Sequence, residues 1–111
     1  MEKEIKVWLS DIKQAISEIN QFLPENINFQ GFQEDLKSKR AIERNIEIIG
    51  EAVNRILKQN PGIEITNSRE IVDTRNRISH AYNSVSDDVI WAIVIQDIPK
   101  LKIEIEQLLN G

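Results

Sequence analysis

The apolar residues of this chain fall on seams with helical spacing, and that pattern restricts the fold more than any other feature. Ile5, Leu9, Ile12, Ile16, Ile19 and Leu23 alternate steps of four and three, as do Ile42, Ile46, Ile49, Val53 and Ile56 farther along. Such spacing keeps every member on one stripe of an α-helix, whereas a half-buried strand needs strict alternation. A third seam, Ile90, Val94, Ile98, Leu101, Ile105 and Leu108, has the same character. The expected fold class is therefore all-α, an up-and-down bundle of four main helices forming a single domain over residues 1–111.

Breakers divide the seams. Pro24 ends the first helix, residues 26–31 read as a connection with Phe29 and Phe32 packing inward, and a short helical turn follows over about residues 31–36. A second long helix is expected over about residues 37–59, stopped by Asn60, Pro61 and Gly62. Gly50 lies inside it, where glycine costs about 1 kcal/mol relative to alanine, so another helix backbone is expected to approach closely there. Ser68 is placed to cap a helix over about residues 69–82, and Ser86 to cap the last one, whose first turn carries Asp87 and Asp88. Pro99 removes one backbone hydrogen bond inside that last helix, so a kink is expected near residues 95–98.

Composition narrows the function. The 111 residues contain no cysteine, which excludes a disulfide scaffold or a thiolate metal site and fits a reducing cytoplasm. No run approaches ~20 apolar residues and the amino terminus lacks a signal-peptide pattern, so a soluble cytoplasmic protein with no membrane partner is expected. A net charge of −4 argues against holding nucleic acid by bulk electrostatics, and no DNA partner is expected. Any RNA site must be local. Its candidate cations are Arg75, Arg77 and Arg69, with Lys37, Lys39, Arg40 and Arg44 in a run that otherwise reads as a solvated helix face.

The chemistry-bearing residues cluster. Residues 75–82 hold the only histidine, His80, and the only tyrosine, Tyr82, together with Arg75, Asn76, Arg77 and Ser79. On an ideal helix Tyr82, Arg75, Ser79, Asn83, Asn76 and His80 span an arc of roughly 160°, leaving Ile71, Ile78 and Ala81 mostly outside it. One face can pack while the other offers a cation, an imidazole, an amide, a hydroxyl and a phenol.

At these residues the chain resembles the HEPN superfamily, in its HepT-like toxin branch. The resemblance is carried by Arg75, Asn76, Ile78, His80 and Tyr82. It extends to Ile49, Gly50, Glu51 and Ala52 upstream and to Val89, Ile90, Trp91 and residues 97–101 downstream, so it covers nearly the whole chain. One departure is visible: where the family usually carries Pro-Trp before the motif helix, this chain has Asn67 and Ser68. The resemblance implies a toxin ribonuclease acting as a homodimer on mRNA or tRNA. It also implies a minimal nucleotidyltransferase antitoxin that adds AMP to Tyr82, and it lets Glu51 pair with a motif arginine. Without it, Tyr82 reads equally as an amphipathic residue at a helix end, and Glu51 as a solvated carboxylate opposite the seam. Trp8 and Trp91 read as packing or dimer-contact residues.

Metal-free RNA cleavage must deprotonate the 2′-OH, neutralise the phosphorane and protonate the leaving 5′-oxygen. Histidine suits proton transfer near neutral pH, and the arginine fork suits charge building on phosphate oxygens. His80 is thus cast as acid or base, Arg75 as transition-state clamp, and Asn76 as a group that orients the ring or the phosphate. One histidine and no cysteine leave only carboxylates as further ligands, so neither metal nor other cofactor is expected. Arg75 and His80 are separated by about 140° around an ideal helix, and a two-fold copy would supply a second arginine and histidine. A composite site at a dimer cleft is what the HEPN resemblance implies. The alternative is a catalytically inactive module of the same fold that binds nucleotide or protein.

Overall fold

The computed structural model describes residues 2–79 and 85–111. Its helices are α1 (Lys3–Gln21), α2 (Phe29–Glu34), α3 (Leu36–Gln59), α4 (Ser68–Ser79), α5 (Asp87–Ala92) and α6 (Ile98–Asn110), the last two joined through a π-helical turn over Ile93–Asp97. With α5, the π turn and α6 counted as one rod, these form the expected bundle of four main helices plus the short α2. Among the described residues there is no strand, and no helix is long and apolar enough to cross a membrane.

The three seams make the core. Leu9, Ile12, Ile19, Ile42, Val53, Ile56, Ile90 and Ile105 are fully enclosed. Each is worth roughly 1.5–3 kcal/mol by burial, which outweighs propensity costs within any one helix. The central element is α3, which packs along both α1 and α4, while α6 closes against α1. Trp91 is a packing residue: its ring lies 5.3 Å from that of Phe32 and 6.1 Å from that of Phe29, pinning α2 to α5.

Local chemistry explains where the boundaries moved. Helix α2 starts two residues before its expected position because the Asn28 side chain accepts from Gly31 N–H at 2.8 Å. Asp35 then separates α2 from α3, accepting from the Ser38 N–H at 3.1 Å and the Ser38 hydroxyl at 2.7 Å. Those two bonds hold its carboxyl below the usual range.

Two corrections concern the later helices. The residue that opens α4 is Asn67, whose carbonyl accepts from Ile71 N–H at 3.0 Å, so Ser68 is the first helical residue and not the cap. Asn67 has φ 59°, a left-handed value that proline cannot adopt, so the Asn67 departure gives the helix an entry of its own. Ser86 does precede α5 in extended conformation but makes no side-chain cap bond; its hydroxyl lowers the Asp88 carboxyl instead. The irregularity expected from Pro99 takes the form of the π turn. Ile98 N–H reaches back to the carbonyl of Ile93, and the flanking residues Ala92 and Ile98 keep right-handed helical angles.

Candidate active site

The site is built from the contact between α3 and α4. A Cβ placed on Gly50 would collide with Arg75 Cβ, and would lie 2.9 Å from Arg75 Cγ and 3.1 Å from the Ile71 carbonyl oxygen. The absence of a side chain at Gly50 is therefore what lets α4 settle onto α3, as its mid-helix position suggested. Arg75 roots its aliphatic stem in that contact and runs outward along the seam. Its Nη1 donates to Asn76 Oδ1 at 2.7 Å, so the amide orients the guanidinium.

One turn farther along α4, the Ser79 hydroxyl donates to Glu47 Oε2 at 3.2 Å. Glu47 is half-buried and lies 3.7 Å from Arg44 Nη1 on its own helix. Its position is readable in retrospect, because it precedes Gly50 by three residues and shares its face of α3. Sequence reasoning passed it over in favour of Glu51. One turn before Glu47, the Glu43 carboxyl is raised above its ordinary value, first by burial and then by the charge of Asp87. Lys39, one turn earlier still, donates to Asp87 Oδ2 at 3.0 Å and ties α3 to the start of α5. Of the basic run, Lys37, Arg40 and Arg44 are exposed as a solvated face, whereas Lys39 is committed to this bridge.

The structure thus brings Arg75, Asn76 and Ser79 together on one flank of α4, with Glu47 opposite. Glu51 does not join them. It accepts from Arg55 Nη2 at 2.7 Å and lines a hollow of about 90 Å³ beside Trp8 and Asp11 of α1. The reason is rotational: one residue beyond Gly50 lies about 100° around α3, away from α4. Arg69 and Arg77 are exposed, Arg69 nearly in line with Asn76 and two turns before it, Arg77 about 100° round from Asn76. The assignments to His80 and Tyr82 lie outside the described residues. Among the described residues no cluster of three or more histidine or acidic side chains is arranged to hold a metal ion.

An arginine bonded to the neighbouring amide on one helix and seated on a glycine of the next, within an all-α bundle, is consistent with a HEPN-type helical protein. The chain belongs to the ribonuclease HepT-like family, whose model matches residues 12–108. It is 38% identical over 97% of its length to a Thermococcus cleftensis protein named "Probable ribonuclease HepT", covering 98% of that relative. Two Methanocaldococcus jannaschii proteins, each named "Putative RNase", are 28% and 30% identical. They match 97% and 94% of this chain and 89% and 95% of their own lengths. No solved structure is a significant match.

Proposed function

We propose that this chain is the toxin ribonuclease of a toxin-antitoxin pair, cleaving RNA without a metal through Arg75, Asn76 and His80 at the cleft of a homodimer. The observation that carries this reading is the seating of Arg75 on Gly50 with its fork fixed by Asn76. A guanidinium held in place before substrate arrives can meet charge developing on a phosphorane without reorganising, which is where such donors contribute most. RNase-named relatives across nearly the full length support RNA as the substrate class, and we take mRNA or tRNA as its form.

In this mechanism one histidine takes the 2′-OH proton as the oxygen attacks phosphorus, and the partner's copy of His80 protonates the departing 5′-oxygen. Arg75 balances the extra charge between those two events. Tyr82 is the control point: AMP added there by a nucleotidyltransferase antitoxin places a phosphate beside the arginines, where it competes with RNA for them. The test is incubation of purified protein with total RNA or tRNA in EDTA, beside Arg75→Ala and His80→Ala. Cleavage by the wild type alone is expected. Equal cleavage by all three overturns the mechanism, and no cleavage by any leaves a binding module.

A further inference from the structure

The flank of α4 that carries Glu70 and Thr74 borders a groove of about 330 Å³ that runs between α4 and the α5 rod. Its floor includes Ile71 and Ile93, and its walls carry the carboxylates of Glu70, Asp88 and Asp97; among the described lining residues there is no cation. Such a groove suits a side chain with an apolar stem and a positive head. Of the exposed cations on α4, Arg69 adjoins Glu70 but lies about 100° round the helix from it, whereas Arg77 stands within about 20° of Glu70 but two turns away, too far along the axis for it to fill its own groove. Among the described residues Arg77, Glu70 and Asp73 take part in no ion pair.

We propose that the occupant of this groove is Arg77 of a second copy of the chain, so that two α4 helices pair antiparallel. The inference rests on the dimeric ribonuclease reading and supplies its geometry. The charge order along α4 selects the direction. A parallel pair sets Arg77 against Arg77 and Glu70 against Glu70. A two-fold axis passing between residues 73 and 74 sets Arg77 level with Glu70 of the partner subunit, twice over by symmetry.

The same operation settles where the reactive flanks lie. With the axis normal to the plane of the two helices, equivalent flanks of both copies open on the same side. Arg75, Asn76 and Ser79 lie about 140–240° round α4 from Glu70, so both sets share one surface and both acidic grooves the other. Each chain carries a net charge of −4, which repels the copies at long range. That repulsion is screened beyond about 8 Å at physiological salt, leaving the local complementarity of groove and arginine to fix the register. Arg77 is thereby a dimer residue, not an RNA ligand.

The experiment is sedimentation equilibrium on the full chain with Glu70→Arg, with Arg77→Glu and with both together. Circular dichroism serves to confirm that the surface variants retain their helix content. The wild type is expected to dimerise, each single reversal to weaken dimerisation by about ten-fold or more because both symmetric contacts become repulsive, and the double reversal to recover it. A monomeric wild type, single variants that dimerise like the wild type, or a double variant no tighter than the singles would each overturn the inference. RNA cleavage on the same samples separates the two claims. Wild-type cleavage with no effect of the swaps on assembly leaves the ribonuclease standing and removes this interface; swap-dependent assembly without cleavage does the reverse.

Discussion

Arg75 lies across Gly50 so closely that no side chain fits between them, and this single contact joins the packing of α3 and α4 to the placement of the clamp. Substituting Gly50→Ala brings two opposed effects. Alanine favours the helix by about 1 kcal/mol, whereas overpacking against a near-backbone atom costs about 1–3 kcal/mol and must move Arg75. The second effect wins because Arg75 Cβ cannot swing aside as a side-chain tip would. A melting temperature lower by roughly 5–10 °C is expected in a thermal scan, with cleavage lost even at temperatures where the variant stays folded.

Arg75→Lys separates charge from shape. A lysine retains the cation and three donors, but all on one nitrogen, without the planar fork that lets one edge hold Asn76 while another meets phosphate bidentately. Steady-state cleavage is expected to fall about 100-fold or more in kcat with little change in thermal stability. Retention of near wild-type kcat would show that the fork geometry is irrelevant.

The bond from Ser79 to Glu47 spans α4 and α3 at an exposed position, so its worth in stability is small. Ser79→Ala and Glu47→Ala together are expected to show a coupling below about 1 kcal/mol in a double-mutant cycle of urea unfolding. A larger value would mean that the site is stabilised by a network that the geometry does not display.

Glu43 gives a pH-dependent test with a definite sign. Burial and the neighbouring Asp87 raise its carboxyl above the ordinary value of 4.5, so the folded chain binds this proton more tightly than the unfolded one. Its contribution to stability is therefore lost as pH rises from the ordinary value through the raised one. Glu43→Gln is expected to melt higher than wild type at pH 7, with the gap closing below the ordinary carboxylate value. A variant less stable at pH 7 would contradict the assignment.

Much of this was legible in the residues. The seams of four and three specified the helices, and Gly50 announced a close approach, because both signals are written in local spacing. What escaped depended on rotation and on partners distant in sequence. Glu47 meets Ser79 only once α3 and α4 are packed, and Glu51 points toward α1 because it is one residue past the glycine. The start of α4 shifted by one because Asn67 takes a left-handed conformation, and the irregularity expected from Pro99 takes the form of a π turn because backbone bonding can widen a turn instead of breaking it.

In the proposed dimer one chain carries half a site, and mixing subunits distinguishes that arrangement from a self-sufficient chain. Wild-type and His80→Ala chains, unfolded together and refolded at varying ratios, form mixed dimers at random. If each cleft needs both histidines, activity follows the square of the wild-type fraction, so an equal mixture retains about a quarter of the wild-type rate. Retention of about half, following the fraction itself, would mean that each chain cuts RNA alone and would contradict the composite site.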